Sequence, residues 1–203
     1  MESQLFTKPN AEQIDIAEQF LKENFLSEEE IWENHQSTVN LKYFSKPEAI
    51  LFLYEDKELV GVEYLFKRYV QLGGLQIYLA KQKERNPILS IGGEPILAGG
   101  FGNVCVKRNQ RRKGIGKKLI GKGIEILKEW DCDIAYLDAN IEKNGPFYNQ
   151  FGFIPFKGKC IFYNSRGKRM KAQGPMIAPI SSNAIFKKVL KSKKSLYLGN
   201  GNW

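Results

Sequence analysis

Asn103-Val104-Cys105-Val106-Lys107-Arg108-Asn109-Gln110-Arg111-Arg112-Lys113-Gly114-Ile115-Gly116-Lys117-Lys118-Leu119-Ile120 is the stretch that sets the topology of this chain. Its first residues alternate in the manner of a half-buried strand, a Gly- and Arg-rich turn follows, and from Ile115 apolar residues recur at helical spacing. A strand that turns directly into a helix leaves the first N–H groups of that helix without intrahelical acceptors. With the helix dipole behind them, those groups make an anion cradle. Arg111, Arg112 and Lys113 at its mouth add charge-assisted donors of the kind a pyrophosphate takes.

Two other phosphate patterns fail on their own terms. Gly116 to Lys122 has P-loop spacing, but Gly123 stands where a Ser or Thr should hold magnesium, and the segment falls inside the helix. Gly114-Ile115-Gly116 is followed by Leu119 where a dinucleotide fingerprint needs Gly or Ala.

After the turn, Leu119, Ile120, Ile126, Leu127 and Trp130 share one side of the predicted helix, opposite Lys118, Lys122 and Glu129. Asp133 to Asp138 reads as the next strand, so 103–107, the helix and 133–138 form a right-handed parallel β-α-β crossover. Before the turn, Ala49–Tyr54 and Leu59–Leu72 read as a hairpin, and Gly73-Gly74 and Gly92-Gly93 as turns needing positive φ. Gly99, Gly100 and Gly102 interrupt the strand entering Val106, which suggests a bulge or a close backbone approach. Residues 10–24 form an amphipathic helix, and Ser27 with Glu30 predicts a capping box opening a second, with His35 as a surface group. Gly145-Pro146 is read as the start of a short helix ending at Gly152, followed by strands over 153–156 and 160–164.

At 203 residues with 42% hydrophobic and 26% charged content, the sequence suits one main folded domain with an N-terminal helical part (1–40), a core (41–157) and a basic extension (158–203). Met1-Glu2-Ser3-Gln4 lacks the order of a signal peptide and no apolar run is long enough for a membrane span, so a cytoplasmic protein without membrane contact is expected. Cys105, Cys132 and Cys160 fit neither a disulfide framework nor zinc spacing, and no metal is expected. The net charge is +9, and no Asp or Glu follows Glu142, so the last third is wholly cationic. Such a face suits nucleic acid, a polyanionic ligand or simple solvation.

Two segments together resemble the GCN5-related N-acetyltransferase (GNAT) superfamily: Arg111-Arg112-Lys113-Gly114-Ile115-Gly116 after an apolar strand, and Phe147-Tyr148-Asn149-Gln150-Phe151-Gly152-Phe153 after the next. The resemblance covers residues 95–157 and implies an α+β fold, a mixed, mostly antiparallel sheet flanked by helices and splayed at the strands that receive the cofactor. It implies acetyl-coenzyme A as acyl donor, with its pyrophosphate on the turn Arg111, Arg112, Lys113, Gly114, Ile115, Gly116 and Lys117. The pantetheine arm would lie along Val104, Cys105 and Val106, with Asn140 near the place of a further contact. Direct transfer to a primary amine is implied, with Tyr148 as proton donor to the leaving thiolate. The general base is open, Glu94, Asp138 and Glu142 being the carboxylates near the motifs.

A second resemblance is to the aminoglycoside 2′-N-acetyltransferases, through the Gly-Gly hairpin from Ile88 to Ala98, Pro155-Phe156-Lys157-Gly158 and the ending Gly201-Asn202-Trp203. It implies that the carboxylate of Trp203 helps bind a cationic sugar. Gly102 occupies the place of that group's acidic base, and Arg169, Lys171 and Gln173 stand in place of its acidic loop. A cationic antibiotic would then need Glu28, Glu29, Glu30, Glu55 or Glu63 in its cleft, so a small-molecule amine is the favoured acceptor. A nucleic-acid-binding module on the same fold, tracking phosphates with Lys187, Lys188, Lys191, Lys193 and Lys194, is the alternative, and the oligomeric state is open.

Overall fold

The computed structural model describes residues 1–24, 47–78, 88–163 and 168–201. The predicted helix opening at Ser27, His35, the acids Glu28 to Glu30, the charged loop 81–86 and Trp203 lie outside them.

The chain begins with β1 (Glu2–Thr7) and α1 (Ala11–Asn24), then β2 (Ala49–Glu55), the long β3 (Glu58–Leu72), β4 (Leu75–Tyr78), β5 (Ile88–Ile91) and β6 (Glu94–Val106). A 3-10 turn at Arg108–Gln110 leads to α2 (Ile115–Glu129), β7 (Ile134–Asp138) and α3 (Ile141–Asn149). The rest is β8 (Ile154–Pro155), β9 (Cys160–Tyr163), β10 (Arg169–Lys171), β11 (Pro175–Pro179), α4 (Asn183–Lys191) and β12 (Leu196–Asn200). Ten strands form one mixed sheet in the order β10-β9-β12-β3-β6-β7-β11-β8, with β1 and β2 added on β3; β4 and β5 form a separate pair. The fold is α+β, and its parallel pairs are β6 with β7 and β12 with β9.

Alternation along β3 sends residues to two different cores. Val62, Tyr64 and Phe66 join Ile14, Ala17, Phe20 and Leu21 of α1 on one face of the sheet. Leu65 joins Phe101, Ile120, Leu127 and Phe153 on the face covered by α2 and α3. A reciprocal cap fixes the start of α1: Gln13 N–H donates to Asn10 Oδ1 and Asn10 N–H to Gln13 Oε1, each at 2.9 Å.

The structure departs from the sequence reading in four places. Gly73-Gly74 and Gly92-Gly93 take positive φ but are not hairpin turns, since β3 pairs with β6 and β4 with β5, and the two Gly-Gly pairs lie against each other. β1 pairs along the whole of β2, although its side chains alternate too weakly to announce a strand. The helix carrying Tyr148 begins at Ile141, because Asn140 caps it by accepting a hydrogen bond from Lys143 N–H at 3.0 Å, and Pro146 sits inside it. The cationic C-terminal third feeds strands into the sheet: β11 lies between β7 and β8, and β12 between β3 and β9.

Candidate active site

The Gly- and Arg-rich turn folds as a shallow nest. Lys107 N–H donates to Val60 O at 2.9 Å, and Gln110 N–H closes the 3-10 turn on Lys107 O at 2.9 Å. Arg112 at φ 68° and Gly114 at φ 83° both take the left-handed conformation, which turns successive N–H groups toward one side. Gly114 is the N-cap of α2 and supplies no side chain to satisfy the first turn, which also contains no acid. The ladder begins only with Lys118 N–H on Gly114 O at 3.1 Å, so the N–H groups of Ile115, Gly116 and Lys117 have no intrahelical acceptor. A Cβ built on Gly114 meets nothing within 4 Å, so the space in front of the cradle is open. Arg112, Lys113 and Lys117 are exposed around it, with Lys113 Nζ donating to Gln110 Oε1 at 2.7 Å.

Arg111 is used differently. Its Nε donates to Val106 O at 3.2 Å and its Nη2 to Asn24 O at the end of α1, so its guanidinium faces protein carbonyls.

β6 and β7 pair in register from Ala98–Ile134 to Gly100–Tyr136, and that parallel pairing stops at Gly100, before β6 reaches Val104 to Val106. On its other edge β6 pairs with β3, and the register shifts between Val62–Cys105 and Tyr64–Gly102. The extra residue bulges at Asn103, which takes φ 52°. The glycine-interrupted strand is therefore bulged as its sequence suggests, while Gly99 admits Leu127: a Cβ there would stand 2.5 Å from Leu127 Cδ1. Val104 and Val106 are half-buried; Cys105 is buried, and burial pushes its thiol up to about 12.

Tyr148 reaches this region from α3. Its ring packs edge-on against Phe147 at 5.1 Å and Phe153 at 6.0 Å, and Phe153 in turn meets Phe101 of β6 at 5.7 Å. A Cβ on Gly116 would lie 3.4 Å from Phe147 Cζ, so the helix bearing Tyr148 touches the first turn of α2 beside the cradle. Burial, and secondarily the Glu63 carboxylate, push the Tyr148 phenol up to about 12, which keeps it protonated at neutral pH. Asn140 is committed as the cap of α3.

The carboxylates near the motifs fall into separate roles. Asp138 accepts from Gly174 N–H at 2.6 Å and Gln173 N–H at 3.3 Å, fixing the approach to β11. Glu94 lies at the far end of β6 and pairs with Lys188 at 2.5 Å. Glu142 is exposed in the first turn of α3. Glu63 is fully buried with neither carboxyl oxygen hydrogen-bonded, and burial raises its carboxyl well above the usual range. It stands across from the bulge in β6 and points to the face covered by α2. Its only sequence signal is a lone acid in the apolar run Leu59 to Phe66.

A family model described as the acetyltransferase (GNAT) family matches residues 15–153. Among curated proteins none matches by sequence. Among solved structures, the chain is similar to the GNAT family N-acetyltransferase YhbS of Escherichia coli in complex with CoA, with a TM-score of 0.57 at 11% identity over 97% of this chain and 89% of that one. It is also similar to ElaA of Escherichia coli, with a TM-score of 0.51 at 18% identity over 87% and 98% of the two chains. A GNAT family acetyltransferase of Staphylococcus aureus Mu50 gives a TM-score of 0.51 at 15% identity over 88% and 99%. The chain spans about a third of the length of two further matches, Eis1 of Mycobacterium abscessus (31%) and a GCN5-related N-acetyltransferase of Kribbella flavida (33%).

Proposed function

The chain belongs to the acetyltransferase (GNAT) family, and from that premise we propose that it transfers an acetyl group from acetyl-coenzyme A directly to a primary amine of a small molecule. The observation that carries this reading is the meeting, at Gly116 and Phe147, of an uncapped helix start with the helix that bears Tyr148, beside the point where the parallel pairing of β6 with β7 ends. The fit to the cofactor is argued from those features: an open cradle of N–H groups, exposed cations around it, and two strands whose pairing stops at Gly100 and Tyr136.

Acetyl-coenzyme A supplies an acetyl group activated as a thioester. The N–H groups of Ile115, Gly116 and Lys117, with Arg112 and Lys113, hold its pyrophosphate. The edge of Val104 to Val106 would offer backbone groups to the amides of its arm, and a backbone N–H there would stabilise the negative charge developing on the thioester oxygen. Tyr148, neutral at working pH, gives its proton to the departing sulfur. The base that takes the amine proton is unassigned; Asp138 and Glu94 are committed elsewhere, and a water relay fits the arrangement.

A panel of amines, including a polyamine, an aminoglycoside and a peptide N-terminus, followed by thiol release from acetyl-coenzyme A, tests the reading. Amine-dependent release with a small molecule supports it; release with none of the panel removes it.

A further inference from the structure

We propose that Asn24 is a positioning residue for cofactor binding, bracing the pyrophosphate turn against the C-terminal end of α1; this rests on the cofactor reading above. Asn24 is 7% exposed, one of two buried polar or charged residues in the described core, and each of its hydrogen-bonding atoms has work. Its Nδ2 donates to Phe20 O at 3.0 Å, which fixes the side chain against its own helix. Its Oδ1 accepts from Arg108 N–H at 3.2 Å, at the start of the 3-10 turn. Its carbonyl accepts from Arg111 Nη2, while Arg111 Nε holds Val106 O at 3.2 Å. One side chain thus fixes the amide of Arg108, and one guanidinium ties the end of β6 to the end of α1, where the helix dipole favours a cation.

The consequence is a division of labour among the cations of the turn. Arg111, Arg112, Lys113 and Lys117 are all exposed, but the guanidinium of Arg111 is bonded to the carbonyls of Val106 and Asn24 and so holds the peptide frame that aims the N–H groups. A turn held in shape before the ligand arrives spares the ordering cost at binding. Removing the Asn24 side chain deletes the hydrogen bond from Arg108 N–H and loosens the start of the 3-10 turn, while the contact of Arg111 with the carbonyl of residue 24 stays, so affinity for the anion falls and chemistry on bound cofactor continues.

The test is calorimetric titration of the full chain with coenzyme A, as wild type, Asn24→Ala, Asn24→Asp, Arg111→Ala and the Asn24→Ala/Arg111→Ala double variant, at two or more salt concentrations, with thermal melts to confirm folding. Asn24→Ala is expected to raise Kd about tenfold, with kcat at saturating acetyl-coenzyme A changed less than about twofold. Asn24→Asp keeps the acceptor for Arg108 N–H but loses the donor to Phe20 O and adds a negative charge at the end of α1, so it is expected to bind more weakly than wild type. Arg111→Ala should weaken binding without flattening the salt dependence, and the double variant should be less than additive. An unaffected Asn24→Ala, an Asn24→Asp that binds as tightly as wild type, or a flattened salt slope in Arg111→Ala overturns the brace alone. Absence of coenzyme A binding by the wild type overturns the cofactor reading and the brace with it.

Discussion

Glu63 Oε2 occupies the gap that Gly123 leaves in α2: a Cβ on Gly123 would stand 2.6 Å from that oxygen and 2.5 Å from Phe101 Cε1. A helix glycine and a fully buried carboxyl on the neighbouring strand therefore depend on one another, directly beneath the strand that carries the bulge.

Gly123→Ala is expected to destabilise the fold even though alanine is the better helix former. The intrinsic gain of about 1 kcal/mol is outweighed by forcing Phe101 and Glu63 apart in a packed core, for a net loss of roughly 1–3 kcal/mol. Chemical denaturation of the variant beside the wild type measures it, and equal midpoints would show that α2 does not sit on Glu63 as described.

Glu63 also gives the protein a pH-dependent stability of defined sign. Burial raises its carboxyl well above the usual value, so the folded chain keeps a proton that the unfolded chain releases near pH 4.5. This contribution is fully present below that pH and is lost as pH rises toward the folded value, at up to about 1.4 kcal/mol per pH unit. Glu63→Gln should flatten the decline that sets in as pH rises above the unfolded value. Denaturation midpoints measured as pH rises above that value check it, and an unchanged slope would mean that Glu63 is ionised in the fold.

Tyr148→Phe should lower kcat by about a hundredfold, the low end of the range for a lost proton donor, with coenzyme A affinity nearly intact. Because the phenol is held near 12, its own titration should leave no limb in the pH–rate profile below about pH 10. Steady-state rates with a saturating amine test both statements; a rate equal to wild type removes the hydroxyl from the chemistry.

The cradle and the crossover were legible because each depends on local pattern: an alternating strand, a Gly- and Arg-rich turn, and a helical stripe from Ile115. Tyr148 was legible only through its motif, since one aromatic in a helix has no spacing that marks it. What could not be read is what depends on pairing across long separations. Arg111 looks like a phosphate ligand beside Arg112, and only the end of α1, 87 positions away, turns it toward Asn24. Asn140 looks available until the helix is found to start one residue after it. Likewise the basic tail carries no local sign that β12 slots between β3 and β9.

The most direct test of the central claim, that the turn before α2 holds the pyrophosphate of coenzyme A, is a calorimetric comparison of wild type, Gly114→Asn and Gly114→Asp. Asparagine tolerates the left-handed conformation and meets open space, so binding should persist. Aspartate has the same size and places a carboxylate against the phosphates, so binding should be lost by about a hundredfold or more. Equal affinity of all three proteins, or no binding by the wild type, would contradict the account.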